Sequence, residues 1–136
     1  IGARCQIISS PEATALGVNH PVVLRTLRPG AIIKIADDVG ISGGSICAAH
    51  IVTIGPGTLL GANVTITDTD FHPVRHASRR YAKMPEPRAE DAVHIEENVF
   101  LGTGCVILKG VRVGANSVIG AGAVIRNSVE PDSIVS

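Results

Sequence analysis

The sequence predicts an all-β chain wound as a parallel solenoid with one long inserted loop. Three observations carry this: an aliphatic residue that returns every six positions, a near absence of aromatics, and Gly, Asn and Asp gathered between the aliphatic places. Residues 95–130 set the register, with Ile95, Leu101, Ile107, Val113, Ile119 and Ile125 each six apart. The fifth place of each hexapeptide is small or medium and uncharged: Val99, Cys105, Val111, Ser117, Ala123 and Val129. A period of six fits neither an α-helix nor a simple hairpin array. It fits short strands, because the fifth residue of one hexapeptide and the first of the next are two apart and share a strand face. The residues between them turn a corner, and Gly102-Thr103-Gly104, Gly114-Ala115-Asn116 and Gly120-Ala121-Gly122 tolerate the backbone angles this needs.

Composition agrees with thin repeated layers. Sixteen Ile and 16 Val stand against two Phe, one Tyr and no Trp, so no bulky side chains fill a wide interior. With 45% apolar and 18% charged residues the chain is the opposite of a disordered one. Twelve Lys plus Arg balance 12 Asp plus Glu, which removes the broad positive field of a nucleic-acid or anionic-membrane binder. Cys5, Cys47 and Cys105 are odd in number, far apart and without C-x-x-C spacing. No apolar run approaches the roughly 18 residues of a membrane span, and no secretory signal opens the chain. The expectation is a cytoplasmic protein without a membrane partner.

One domain is expected over residues 1–136. Residues 1–34 read as an irregular first coil and loop, in which Ile1, Ile7 and Ala13 keep the period and residues 17–30 lose it. The phrase then runs Ile35, Ile41, Cys47 and, after one extra residue, Ile54, Leu60, Ile66. A one-residue slip would turn the buried set outward, so a bulge is expected near Ile51 to Thr53. Ile66 and Ile95 are 29 positions apart where six are due, so about 23 residues are inserted. The insert, taken as residues 67–94, is charged, Pro-rich and His-bearing. A long loop in a repeat array is a functional element or a disordered one, and here it concentrates the reactive side chains.

From residue 35 to about 135 the chain resembles the hexapeptide-repeat acyltransferases, and among them the maltose and galactoside O-acetyltransferase branch. The resemblance implies a left-handed parallel β-helix, against the usual right-handed β crossover. It also implies a homotrimer with coenzyme clefts between neighbouring solenoids. The phrase Thr65-Ile66-Thr67-Asp68-Thr69-Asp70-Phe71-His72-Pro73 resembles the segment that carries the family's catalytic His, which makes His72 the implied general base. Its imidazole would take the proton of an acceptor hydroxyl or amine, which attacks the thioester of acetyl-coenzyme A (acetyl-CoA) directly. A free imidazole, with an ordinary pKa of about 6.5, is mostly neutral and basic at working pH. Asp68 or Asp70 could orient the ring or cap the turn. Asp70, Arg75 and Tyr81, with Arg79 and Arg80, are candidate acceptor contacts or simply a solvated loop surface; the resemblance implies a small-molecule acceptor, first of all a sugar.

The segment Asn98-Val99-Phe100-Leu101-Gly102-Thr103 resembles the wall beside the coenzyme's pantetheine arm, with Phe100 where the family usually has Trp. Gly102, Thr103, Gly120 and Ala121 match small positions along that arm. Arg126 stands where the family often has a phosphate-binding Lys.

Other readings remain at this stage. By register alone His72, six after Ile66, would face inward and merely end the coil. His72, His76 and His94 are a candidate zinc set of the γ-carbonic-anhydrase type; the first reading needs no metal. A non-catalytic scaffold is a third possibility. Cys105, at a fifth place, is read as a core residue rather than an acyl-carrying nucleophile.

Overall fold

A computed structural model describes residues 1–136 and places fifteen short strands on three faces of a triangular coil. The first turn holds β1 (Gln6–Ile8), β2 (Val23–Thr26) and β3 (Ile32–Ile35). The second holds β4 (Gly40–Ser42), β5 (Ser45–Ala48) and β6 (Ile51–Ile54). The third holds β7 (Leu59–Leu60), β8 (Thr65–Thr67) and β9 (Val93–Ile95), and the fourth β10 (Phe100–Leu101), β11 (Val106–Ile107) and β12 (Arg112–Val113). β13 (Val118–Ile119), β14 (Val124–Ile125) and β15 (Ile134–Val135) complete the coil. Each strand pairs in parallel with the strand one turn on. The first sheet is therefore β1-β4-β7-β10-β13-β15, the second β2-β5-β8-β11-β14 and the third β3-β6-β9-β12.

The register puts like on like. Ile41, Leu60, Leu101 and Ile119 stack inside the first sheet, and Ile46, Ile66, Ile107 and Ile125 inside the second. Fifth-place residues Val99, Cys105, Val111 and Ser117 are buried beside them. Ser117 is satisfied there by donating its hydroxyl to the Glu130 carbonyl at 3.0 Å. At the corner between third and first sheets, Asn98, Asn116 and Asp132 hold left-handed φ angles of 53°, 61° and 59°. Their side chains form a ladder: Asn98 Nδ2 donates to Asn116 Oδ1 at 3.0 Å, and Asn116 Nδ2 to Asp132 Oδ1 at 2.9 Å. No helix is long and apolar enough to cross a membrane.

Three sequence expectations need correction. Ile46, fully buried, pairs with Ile66 and takes the inward place, while the half-buried Cys47 lies beside Thr67 one residue on. The slip is also not a bulge at Ile51 to Thr53, since β6 is an uninterrupted strand paired residue by residue with β3. One residue is lost at the Gly43-Gly44 corner, where Gly43 has φ +58°, and two are gained at Ala48 to His50. The wider corner is capped from the next turn: the buried Asp68 carboxylate accepts the N–H of Ala49 at 2.6 Å and of His50 at 2.8 Å. Finally, Ile7 pairs with Ile41 as its period suggests, but Ala13 lies in a short 3-10 turn, Pro11–Ala13, not in a strand.

The insertion sits in the third turn. Leu60 pairs with Leu101 although they are 41 positions apart, while Leu101 pairs with Ile119 at a separation of 18. Those 23 extra residues leave the corner between the second and third sheets. Because β8 runs to Thr67 and β9 begins at Val93, the excursion is 68–92, slightly shorter than the segment taken from the sequence.

Candidate functional site

The chain leaves β8 through a run of local hydrogen bonds that turns it outward. The N–H of Thr69 donates to Thr67 Oγ1 at 3.3 Å, and the N–H of Phe71 to Thr69 Oγ1 at 3.0 Å. The N–H of His72 closes on the Asp70 carbonyl at 2.6 Å. Phe71 is held at φ +61°, a conformation that costs a bulky residue of order 1–3 kcal/mol and persists only where its surroundings impose it. The strained turn delivers His72 to solvent, exposed and with no hydrogen bond to either ring nitrogen. The inward reading of His72 therefore fails: the coil has already been left at Thr67, and counting by six no longer applies.

Neither acidic neighbour touches the imidazole. Asp68 is buried and serves the Ala49-His50 corner. Removing it strands two donors, so Asp68→Ala is expected to cost about 1.5–3 kcal/mol in thermal or urea unfolding. Asp70 pairs with Lys109 Nζ at 2.6 Å, and the same ammonium lies 3.9 Å from Asp91. Lys109 thus ties the outgoing and returning limbs to the fourth turn.

Asp91 is buried, which alone would raise its pKa, but the Arg88 N–H at 2.9 Å, the Arg88 guanidinium and Lys109 together hold it below the ordinary carboxylate value. A carboxyl depressed on folding stabilises above its unfolded pKa of about 3.9, and the contribution disappears as pH falls through the lower folded value. Acidification below about pH 4 is therefore expected to lower the protection factors of amides at the base of the loop, relative to their intrinsic exchange rates at each pH, and Asp91→Asn to remove that pH dependence.

Two further clamps hold the loop. Arg28, from the first turn, donates to Glu86 at 2.6 Å and to the carbonyls of Met84 and Pro85 at 3.0 and 3.1 Å. Arg79 donates to the carbonyls of Pro73 at 2.9 Å and Val74 at 2.7 Å. Arg28 and Lys109 escaped sequence reasoning because nothing local marks them; their partners are 56–58 and 18–39 residues away.

The other predicted residues fall into separate groups. Phe100 lies on the outer face of the first sheet, paired between Leu59 and Val118 and 45% exposed. Gly102, Thr103, Gly120 and Ala121 follow at the corner between first and second sheets, where the Gly122 N–H donates to the Thr103 carbonyl at 2.9 Å. A Cβ on Gly102 would sit 2.5 Å from the Ala121 nitrogen, so close stacking of turns alone requires glycine there. Arg126, after β14, is on the opposite edge of the second sheet, the edge from which the loop departs. Arg75 and Tyr81 are exposed on the loop, with the Arg80 guanidinium 5.7 Å over the Tyr81 ring.

Within one chain these groups do not meet. Five residues of extended chain, roughly 15 Å, separate the Thr103 corner from the loop corner. No cavity of the single chain is lined by His72, Phe100, Thr103 or Ala121. The zinc set does not converge within the chain either. His94 shares a hydrogen bond with Thr53 at 2.8 Å on the outside of β9, His76 accepts the Ser78 N–H at 3.0 Å, and no three metal-ligating side chains gather. Cys105 is wholly buried, and burial pushes its thiol up to about 11, the opposite of an activated nucleophile.

Residues 92–127 match the family model described as bacterial transferase hexapeptide (six repeats). Over those residues the six-residue period is the one that the family model describes. This hexapeptide solenoid is 42% identical over 85 residues to a galactoside O-acetyltransferase of Lactococcus lactis subsp. lactis (strain IL1403), a match covering 62% of the chain and 38% of that relative. Its fold superposes on a hexapeptide-repeat acetyltransferase of Vibrio cholerae O1 biovar eltor solved with acetyl-coenzyme A. There the TM-score is 0.76 at 25% identity, over 100% of this chain and 65% of that one. A galactoside acetyltransferase in complex with coenzyme A gives a TM-score of 0.72 at 28% identity, over 99% and 60% of the two chains. The hexapeptide solenoid is thus a left-handed parallel β-helix. It spans about two fifths of the length of the curated relatives it matches.

Proposed function

We propose that this solenoid is the catalytic part of an acetyl-CoA-dependent acetyltransferase that acts on a hydroxyl or amine of a small acceptor, first of all a sugar. The observation that carries the reading is His72: an exposed imidazole with unengaged nitrogens, presented by a strained turn at the mouth of a clamped loop. His72 takes the acceptor's proton as the acceptor oxygen or nitrogen bonds to the thioester carbonyl carbon. The carbon–sulfur bond then breaks, and the imidazolium returns its proton to the departing thiolate. Acetyl-CoA is a substrate here, and transfer is read as direct, with Cys105, wholly buried in the core, taking no part.

The coenzyme wall is proposed at Phe100 and at the side-chain-poor corner of Gly102, Thr103, Gly120 and Ala121, where a thin pantetheine arm meets backbone. Arg126 is the proposed contact to the coenzyme's phosphate, and Asp70, Arg75 and Tyr81 are the proposed acceptor contacts.

Two observations support the proposed homotrimer. His72 and the wall lie on different edges of the second sheet, so a complete site needs a neighbour. The outer face of the first sheet also carries Leu59 and Phe100 and that of the second Val124, all exposed, whereas the third carries Lys34, Thr53, His94 and Arg112 beside a single exposed Ile32. Apolar faces of this kind mark contact surfaces. The test is thiol release from acetyl-CoA against a panel of sugars and amines. Acceptor-dependent release is expected; none with any acceptor, together with stoichiometric zinc in the purified protein, would overturn the proposal.

A further inference from the structure

We infer that the tip of the inserted loop selects an acceptor that carries phosphate, an inference that rests on the acetyltransferase reading. Residues 71–85 contain Arg75, Arg79, Arg80 and Lys83 and no carboxylate, in a chain whose net charge is zero. All four cations are exposed. The carboxylates on either side are already engaged: Asp70 by Lys109, Glu86 by Arg28, and Glu90 and Asp91 by Arg88. Arg75, Arg80 and Lys83 form no ion pair, and Arg79 spends Nε and Nη2 on carbonyl groups, which leaves its charge uncompensated.

Position makes this more than a solvated surface. Arg79 is clamped to the carbonyls of Pro73 and Val74, the two residues after His72, so one guanidinium is fixed within a few ångströms of the segment that presents the base. Arg80 follows it, oriented over Tyr81. Like charges held on a short loop repel one another unless an anion joins them. A phosphate, with several acceptor oxygens, can engage two or three of these donors, and guanidinium groups suit it geometrically. A neutral sugar offers the cluster no counter-charge. Phosphate could also arrive on the coenzyme, so the test separates the two sources.

The experiment compares the wild-type chain with an Arg75→Gln, Arg80→Gln, Lys83→Gln triple variant, which keeps Arg79 and its backbone clamp. Calorimetric binding is measured for glucose, glucose 6-phosphate, N-acetylglucosamine, its uridine diphosphate derivative and coenzyme A, alongside thiol release from acetyl-CoA. The phosphorylated member of at least one pair is expected to bind ten times or more tightly than the neutral one. That preference should shrink as salt rises from 50 to 500 mM. The triple variant should lose it while binding coenzyme A as before.

Equal binding of the members of both pairs overturns the inference, and so does a loss that falls on coenzyme A instead. Phosphate-selective binding without thiol release from any acceptor would leave the charged surface standing and remove the acetyltransferase reading beneath it.

Discussion

His72→Ala is expected to lower acetyl transfer by roughly 10² to 10⁴-fold, the contribution of a positioned general base. The side chain is exposed and contacts nothing that holds the coil, so the circular dichroism spectrum and melting temperature should not move. The effect should fall on kcat, with the KM for acetyl-CoA little changed, because the proposed coenzyme wall lies on the first sheet and its corner. Unchanged turnover in the variant would remove His72 from the chemistry.

The second large effect concerns the core. Ile107 is wholly buried and stacks between Ile66 and Ile125. Ile107→Ala is expected to destabilise the fold by about 2–5 kcal/mol, the range for truncating a buried aliphatic residue. That corresponds to a lower melting temperature on the order of ten degrees. The upper part of the range is expected because the turns on either side are fixed by parallel ladders and cannot collapse into the space. Lys34→Ala, on the outer face of the third sheet, should change stability by less than about 0.5 kcal/mol. Similar melting curves for the two variants would contradict the stacked-core description.

How far the sequence spoke for the structure differs from residue to residue. The six-residue period gave the inward stacks from Ile95 to Ile125 because every turn there has the same length, so position in the sequence maps directly onto position in the coil. It failed at Cys47, where two opposite changes of length, a tight Gly43-Gly44 corner and a wide Ala48 to His50 corner, leave a net slip of one and hide both sites. The segment ending in His72-Pro73 marked where the coil is left. It could not say what Asp68 does, since that carboxylate answers to backbone 18 and 19 residues earlier. Lys109 and Arg28 were equally silent: a single cation in an apolar stretch or an irregular loop gains its role only from the distant chain brought to it. The separation of His72 from Phe100 within one chain is a property of the closed triangle, visible once the three faces are known.

Acetyl transfer at the meeting of one protomer's loop with the next protomer's wall, the site proposed above, predicts that two inactive variants complement one another. His72→Ala removes the base, and Ala121→Trp fills the small corner proposed for the coenzyme; each variant alone should be nearly inactive. Co-expressed with different tags and purified as mixed trimers, they should regain about a third of wild-type activity, because in every cyclic trimer that holds both variants one interface of the three joins an intact loop to an intact wall. Mixed trimers no more active than either variant alone would contradict a site shared between protomers.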